Sequence, residues 1–263
     1  MKAVLAAAAW ALLLLASPVA QADQAGDALA VSEGAIGRGL PDLRFTDTRG
    51  KSIQLSSLRG KPMLLTLIYT GCADVCPAVI ENLAPAVRVA EDALGAGSFK
   101  AVVVGFDTRH DTPDRMRAFA HQHGAGGDDW LFLSADQTSL DKLSEAVGFS
   151  YFSSAGGFEH MAQVSVIDAS GVVYRQVYGS SFTPPQIVEP LKDVVFGRER
   201  SLLSVTSIID KVKLFCTVYN PNTGRYYFNY SLFASIVIGA VSLGAVGYVL
   251  VRETRKSMRA GGA

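Results

Sequence analysis

The cysteines at positions 72 and 76 are the residues of this 263-residue chain whose type and spacing most directly indicate chemistry. They lie in the segment Thr70–Pro77, which follows the apolar run Met63–Tyr69 and precedes a helical pattern. Pro77 suits the first helical position and disfavours helical geometry in the residue before it, so we expect Cys76 to cap the helix. The positive end of a helix favours thiolate over thiol. Because thiolates attack disulfides and bind soft metal ions, this spacing predicts a redox site, a metal site, or both.

A structural disulfide between the two cysteines is the alternative interpretation. If the residues between them were helical, their Cβ atoms would lie about 5–6 Å apart. A disulfide prefers about 3.8 Å between these atoms. A loop would close this gap, so the spacing leaves the structural disulfide open.

The four histidines give a weaker signal. By spacing alone, a single histidine such as His160 is more often a hydrogen-bonded surface or core residue than a ligand. His121 and His123 lie two residues apart and do not share a helix face, and we expect them and His110 to be solvated. The third cysteine, Cys216, lies outside the predicted domain. A free thiol, an intermolecular disulfide and a ligand all remain open for it.

The first 22 residues have the pattern of a cleaved signal peptide. Lys2 supplies positive charge, Ala3–Ala16 is apolar, and Ala20–Ala22 is a small-x-small cleavage site. The alternative is an uncleaved anchor, although the apolar core is shorter than the roughly 20 residues that a spanning helix needs. Export places the mature chain in an oxidising compartment.

A second hydrophobic segment, Ser231–Val251, carries no charge and is long enough to cross a bilayer. A buried core helix is the alternative. Arg252, Arg255, Lys256 and Arg259 follow it, and the positive-inside rule therefore places residues 252–263 in the cytoplasm and residues 23–230 outside. We thus predict a single C-terminal transmembrane helix.

The remaining chain has the length of one domain. Residues 23–37 are small and rich in Gly and Ala, which predicts a flexible leader; residues 38–197 form the domain, and residues 198–230 a juxtamembrane segment. The chain has 24 basic and 24 acidic residues and no basic stripe, so nothing supports nucleic-acid binding.

Strand and helix patterns alternate through the domain in the order β-β-β-α-β-α-β-α-β-β-α. This order predicts an α/β fold with a mixed sheet flanked by helices. The thiol pair follows a central strand and precedes a helix, which is a common position for a reactive site. The predicted elements are hairpins at 43–55 and 163–178, strands at Met63–Tyr69, Lys100–Phe106 and Leu131–Ser134, and helices at Pro77–Ala93, from Thr112, at Ser139–Val147 and at Pro184–Phe196.

Several motifs in order resemble the SCO/SenC family of membrane-anchored, thioredoxin-like copper proteins that serve cytochrome c oxidase assembly. The resemblance covers roughly residues 39–197. Thr108, Gly71, Glu159 and Met161 depart from the usual family pattern. The matching motifs are Leu58–Pro62, Tyr69–Cys72 with Cys76–Pro77, Asp107 with Asp111–Pro113, and His160 ahead of Val166–Gly171.

The resemblance implies that Cys72, Cys76 and His160 hold one copper ion. Two thiolates and an imidazole suit reduced copper, whereas structural zinc normally takes four protein ligands. Asp107 is then expected to orient His160, to cap the following helix, or to bind a partner. The implied partner is the copper-site subunit of a cytochrome c oxidase, reached from the periplasmic face of a bacterial inner membrane.

Two other functions fit the same residues. A thiol–disulfide oxidoreductase would use the two cysteines and would not need His160. A peroxide-reducing enzyme would use the fold and one cysteine. The copper carrier is the interpretation that employs all three residues, and it need not turn over a substrate as an enzyme does.

Overall fold

The structure is a computed structural model that describes residues 26–154, 156–196, 217–221, 223–228, 230, 234–245 and 247–248. The chain divides into two compact units, residues 1–201 and residues 202–263. The predicted signal peptide (1–22), the basic tail (252–263) and Cys216 lie outside the described residues.

A seven-stranded mixed sheet forms the centre of the first unit, in the order β2-β1-β5-β4-β3-β8-β9. Strands β3, β4 and β5 are parallel, and the other pairs are antiparallel. Every residue of β3 is buried, as its continuous apolar run predicts. The strands are β1 (Arg44–Asp47), β2 (Ser52–Gln54), β3 (Met63–Ile68), β4 (Lys100–Gly105), β5 (Trp130–Ser134), β6 (Tyr151–Ser154), β7 (Gly157–His160), β8 (Gln163–Ile167) and β9 (Val173–Tyr178).

Helices cover the sheet, and the predicted α/β fold is confirmed. Each helix buries an apolar stripe; in α2 this stripe includes Val79, Leu83 and Val87. α2 packs against α5, and α3 packs against β5. The helices are α1 (residues 26–33), α2 (Val75–Leu94), α3 (Pro113–Gln122), α4 (Gln137–Val147) and α5 (Pro184–Phe196), with a short 3-10 helix at Leu55–Leu58.

The prediction of a flexible leader is wrong for residues 26–37. They form α1 and a following turn, and Ser32 is fully buried. The Ser32 hydroxyl donates to Gln163 Oε1 at 3.0 Å and lies 3.2 Å from the Tyr178 hydroxyl. The Gly- and Ala-rich composition resembles a linker, but these small residues let the segment pack closely against the domain.

A hairpin of β6 and β7 was missing from the predicted order. It lies between α4 and β8, and it forms a separate two-stranded sheet. Each strand has four residues and no fully buried position, so the alternation that marks a strand is weak here. The hairpin is important because its last residue is His160.

The described part of the second unit contains a hairpin and a helix. The hairpin pairs β10 (Thr217–Asn220) with β11 (Arg225–Phe228), and residues 234–245 are helical. Within the described ranges, no helix combines the length and apolar character needed to cross a membrane. The predicted span, Ser231–Val251, lies only partly within those ranges.

Candidate metal centre

The two cysteines lie where β3 gives way to α2. The helix begins at Val75, with Asp74 as its N-cap, so Cys76 lies inside the first turn. The predicted start at Pro77, with Cys76 as the cap, is therefore wrong by two residues. The first-turn N–H groups have no partner within a helix, so a proline is accepted throughout that turn and does not fix the first residue.

Cys72 supplies the acceptor at this helix end. The backbone N–H of Cys76 donates to the Cys72 sulfur at 3.3 Å, while the Asp74 side chain makes no capping hydrogen bond. Burial by itself raises the pKa of Cys72, but the backbone N–H groups of Cys76 and Asp74 and the Tyr69 hydroxyl outweigh it. The pKa of Cys72 is consequently below that of an ordinary thiol, which favours thiolate.

Cys76 has the opposite properties. Its side chain is fully buried, and this burial raises the pKa of Cys76 far above that of an ordinary thiol; negative charge on Cys72 raises it further. The sequence placed the activated thiol at Cys76, and the structure places it at Cys72. The two cysteines are free thiols in the structure.

His160 faces Cys76 from the end of β7. Its Nε2 atom lies 3.7 Å from the Cys76 sulfur, and its Nδ1 atom lies 3.3 Å from the backbone oxygen of Met161. Burial lowers the pKa of His160, which favours the neutral imidazole, the form that binds metals. A carbonyl that accepts the Nδ1 proton leaves Nε2 free to act as a ligand.

Aromatic rings enclose the imidazole. The centroids of Phe106, Phe149 and Tyr69 lie 5.2, 5.5 and 6.2 Å from that of His160. Tyr69 also packs against Phe158 of the hairpin at 5.3 Å. Sequence reasoning missed this enclosure because Tyr69 follows β3, Phe106 follows β4, and the other rings lie near β6 and β7, which are distant in the chain.

The three expected ligands are brought together in part. Cys76 and His160 make a direct side-chain contact, and Cys72 joins Cys76 through the backbone hydrogen bond. Among the residues that the structure describes, no three Cys, His, Asp or Glu side chains converge as a ready metal site. The observed arrangement is therefore a sulfur–imidazole pair with a second sulfur beside it.

Asp107 does not orient His160. Its carboxylate lies 2.8 Å from Nδ1 of His110, which is exposed. The orienting oxygen for His160 is instead the Met161 carbonyl.

Of the other histidines, His123 is not solvated as expected: its side chain is 10% exposed and lies 2.8 Å from a carboxylate oxygen of Glu81.

Asp111 is a site residue whose role the sequence did not reveal. Its buried carboxylate accepts hydrogen bonds from the Thr70 N–H at 2.8 Å, the Thr70 hydroxyl at 2.7 Å and the Asp107 N–H at 2.8 Å. These bonds fasten the loop before Cys72 to the loop after β4. Thr112, from which a helix is predicted, is the N-cap of α3.

Comparisons with known proteins agree with this architecture. A SCO1 protein homolog of Bacillus subtilis is 25% identical over 103 residues, 38% of this chain and 51% of the relative. A putative copper-binding protein of Stutzerimonas stutzeri is 24% identical over 117 residues, 43% of this chain and 54% of the relative. The chain thus spans about half the length of these relatives.

A solved structure extends the comparison to the fold. The structure of a putative electron transfer protein from Aquifex aeolicus is 28% identical, covers 62% of this chain and 95% of its own, and has a TM-score of 0.56. The SCO1/SenC family model matches residues 38–195, which is more than half of the chain. The thioredoxin-like domain and the Cys-x-x-x-Cys-Pro loop both lie in the matched region, and the chain belongs to the SCO1/SenC family.

Proposed function

We propose that this protein binds copper and delivers it to the copper-site subunit of a cytochrome c oxidase during assembly. The observation that carries the proposal is the 3.7 Å contact between the sulfur of the buried Cys76 and Nε2 of the partly buried His160, beside several aromatic rings. The similarity to a putative copper-binding protein and the family membership support copper as the cargo.

The proposed ligands are Cys72, Cys76 and His160, as the family resemblance implies. Sulfur and imidazole donors in low number suit copper in its reduced state. Binding displaces the proton of Cys76, so copper affinity rises with pH as long as that thiol is protonated in the metal-free protein. The neutral His160 needs no deprotonation to take part.

The rest of the chain is proposed to hold this domain at a membrane. Residues 1–22 direct export, residues 231–251 anchor the chain in a bacterial inner membrane, and residues 252–263 remain in the cytoplasm. The copper-binding domain then lies in the periplasm. Confinement to one surface raises the effective concentration of carrier and acceptor for each other.

A titration of the reduced chain with copper(I) against a competing chelator tests the proposal. We expect His160→Ala to weaken binding by more than about tenfold, or about 1.4 kcal/mol. The exposed His121 provides the matched control, because His121→Ala removes an imidazole away from the site. Equal affinity in the two variants would remove His160 from the ligand set.

A second function has support from a specific observation. Cys72 is partly exposed and has a lowered pKa, whereas Cys76 is buried beside it, and this is the arrangement of an attacking and a resolving thiol. In a thiol–disulfide oxidoreductase, Cys72 would form a mixed disulfide and Cys76 would resolve it, giving two electrons to the substrate.

The two functions differ in what they require. Copper retention that depends on His160, without reduction of insulin disulfides, would support the carrier. Insulin reduction that persists in His160→Ala but is lost in Cys72→Ser would support the reductase.

A further inference from the structure

A cleft of about 600 Å³ lies between α2 and α3 and reaches the loop that carries Cys72. Cys72 lines this cleft, whereas Cys76 and His160 do not. Of the three proposed ligands, a molecule in the cleft therefore meets Cys72 first. The volume is within the range of sites that hold a small ligand or a short peptide segment.

The walls of the cleft combine small side chains with separated charges. The side chains of Ala73, Ala78 and Ala118 are small, so a polypeptide backbone can approach this surface closely. Arg115 stands on the α3 side, and no carboxylate of the described residues forms an ion pair with its guanidinium. Two carboxylates also line the cleft: that of Glu81 contacts His123 at 2.8 Å, and that of Asp74 belongs to an exposed residue at the Cys72 end.

We infer that this cleft docks a segment of the copper acceptor that places a cysteine thiol at Cys72 and an acidic side chain at Arg115. The inference rests on the proposed function and specifies how the partner approaches. A sulfur donor is required because only a soft ligand displaces a thiolate from copper(I). An acidic side chain is required because the guanidinium of Arg115 forms no ion pair with any residue that the structure describes.

The docked geometry defines the order of transfer. The bond between copper and the acceptor sulfur forms while the bond between copper and the Cys72 sulfur breaks. The proton of the acceptor thiol passes to Cys72, and copper keeps its oxidation state. Cys76 and His160 release the ion only after Cys72, because the cleft does not reach them.

Disulfide exchange at Cys72 measures this docking without copper. In the full chain carrying Cys76→Ser and Cys216→Ser, Cys72 is converted to a mixed disulfide with thionitrobenzoate. The copper-free copper-site domain of a cytochrome c oxidase then attacks it, forms a disulfide with Cys72 and releases the coloured thionitrobenzoate anion. Glutathione serves as a small thiol that needs no docking.

Two substitutions in the cleft should slow the protein acceptor alone. Ala118→Trp fills the cleft, and we expect it to slow the reaction with the copper-site domain at least tenfold and leave the glutathione reaction unchanged. Ala96→Trp is the matched control, because Ala96 is exposed in the turn after the far end of α2. Arg115→Glu should have the same effect and reverse the salt dependence of the rate, because salt screens an attraction in the parent chain and a repulsion in the variant. Arg117→Glu makes the same charge change outside the cleft.

Three outcomes would overturn the inference. They are equal rates for Ala118→Trp and Ala96→Trp, equal slowing of glutathione and the protein acceptor, and slowing by Arg117→Glu as large as that by Arg115→Glu. The proposed function is contradicted by a different result, namely that the unsubstituted chain does not bind copper(I). If the chain binds copper(I) and the cleft substitutions do not change the rates, the proposed function stands and the docking site is wrong.

Discussion

At the scale of single residues, the centre is asymmetric. Cys72 accepts a backbone hydrogen bond at the start of α2, and Cys76 is buried against an imidazole. The pKa of Cys72 is therefore lowered and that of Cys76 is raised, although the two thiols are only four residues apart. The first is suited to exchange with a partner, and the second is suited to hold a ligand position that solvent does not reach.

We expect Cys72 to be alkylated well before Cys76 in the reduced, metal-free chain. Iodoacetamide reacts with thiolate, and Cys72 has both the lower pKa and the greater exposure. Peptide mapping by mass spectrometry after brief exposure at neutral pH provides the measurement. Preferential labelling of Cys76 would contradict the assigned environments.

Removal of the Tyr69 hydroxyl should make Cys72 less reactive. This hydroxyl is one of the groups that lower the pKa of Cys72, so Tyr69→Phe raises that pKa while it keeps the ring against Phe106. The alkylation rate of Cys72 near neutral pH should fall several-fold and recover at alkaline pH, where the thiol is ionised in both proteins. Tyr151→Phe is the control, because Tyr151 packs in the same aromatic group. A uniform loss at all pH values would indicate altered access instead.

At the scale of elements, three segments distant in the chain form the centre. The loop after β3 supplies the cysteines, and the β6–β7 hairpin supplies His160. Asp111, between β4 and α3, fixes the loop through Thr70. The N-terminal helix α1 packs against Gly148, the residue that follows α4, and Ser32 of α1 also donates a hydrogen bond to Gln163 of β8.

The contact between α1 and the residue after α4 can be tested at Gly148. Gly148 and Gly124 have the same φ of +65°, so alanine is strained at both positions by about 1 kcal/mol. A Cβ atom at Gly148 would also lie 2.5 Å from the backbone oxygen of Val31, whereas nothing lies within 4 Å at Gly124. Gly148→Ala should therefore lower the free energy of unfolding by about 1–3 kcal/mol more than Gly124→Ala.

Urea denaturation of both variants measures this difference. Equal losses would mean that α1 does not pack against Gly148. A larger loss at Gly148 assigns the excess to the close approach of the two segments, because the backbone strain is common to both.

At the scale of the whole molecule, the formal net charge is zero at pH 7. General charge repulsion is therefore small near neutrality, and the response of stability to pH depends on particular groups. One such group is Asp129, which is largely buried and lies 2.8 Å from Nζ of Lys100. Burial opposes ionisation, but Lys100 and the Gly97 N–H outweigh it and lower the pKa of Asp129.

Asp129→Asn should destabilise the domain at neutral pH but not in acid. A carboxylate with a lowered folded pKa adds stability above its unfolded pKa of about 3.9, and this contribution is lost as the pH falls through the folded value. We expect a loss of about 1–3 kcal/mol at pH 7, which shrinks below about pH 4. Asp92→Asn, at an exposed helical position, is the control. A loss that stays constant with pH would contradict the ionic role of Asp129.

The sequence by itself determined the central strand, the alternation of strands and helices, and the thiol pair at a strand-to-helix junction. These features follow from local patterns, namely continuous apolar runs, helical periodicity and the position of Pro77. The resemblance of the motifs to a known family added His160 to the thiols before any contact between them was visible.

Only the tertiary structure decided which thiol is activated, how His160 reaches Cys76, and that residues 26–37 belong to the domain. Each of these depends on contacts between residues far apart in the chain. The pKa of Cys76 depends on its burial in the folded domain, and the place of His160 depends on a short hairpin with weak alternation. The packing of α1 against the domain depends on Gly148, because the absence of a side chain there lets the backbone of α1 approach closely.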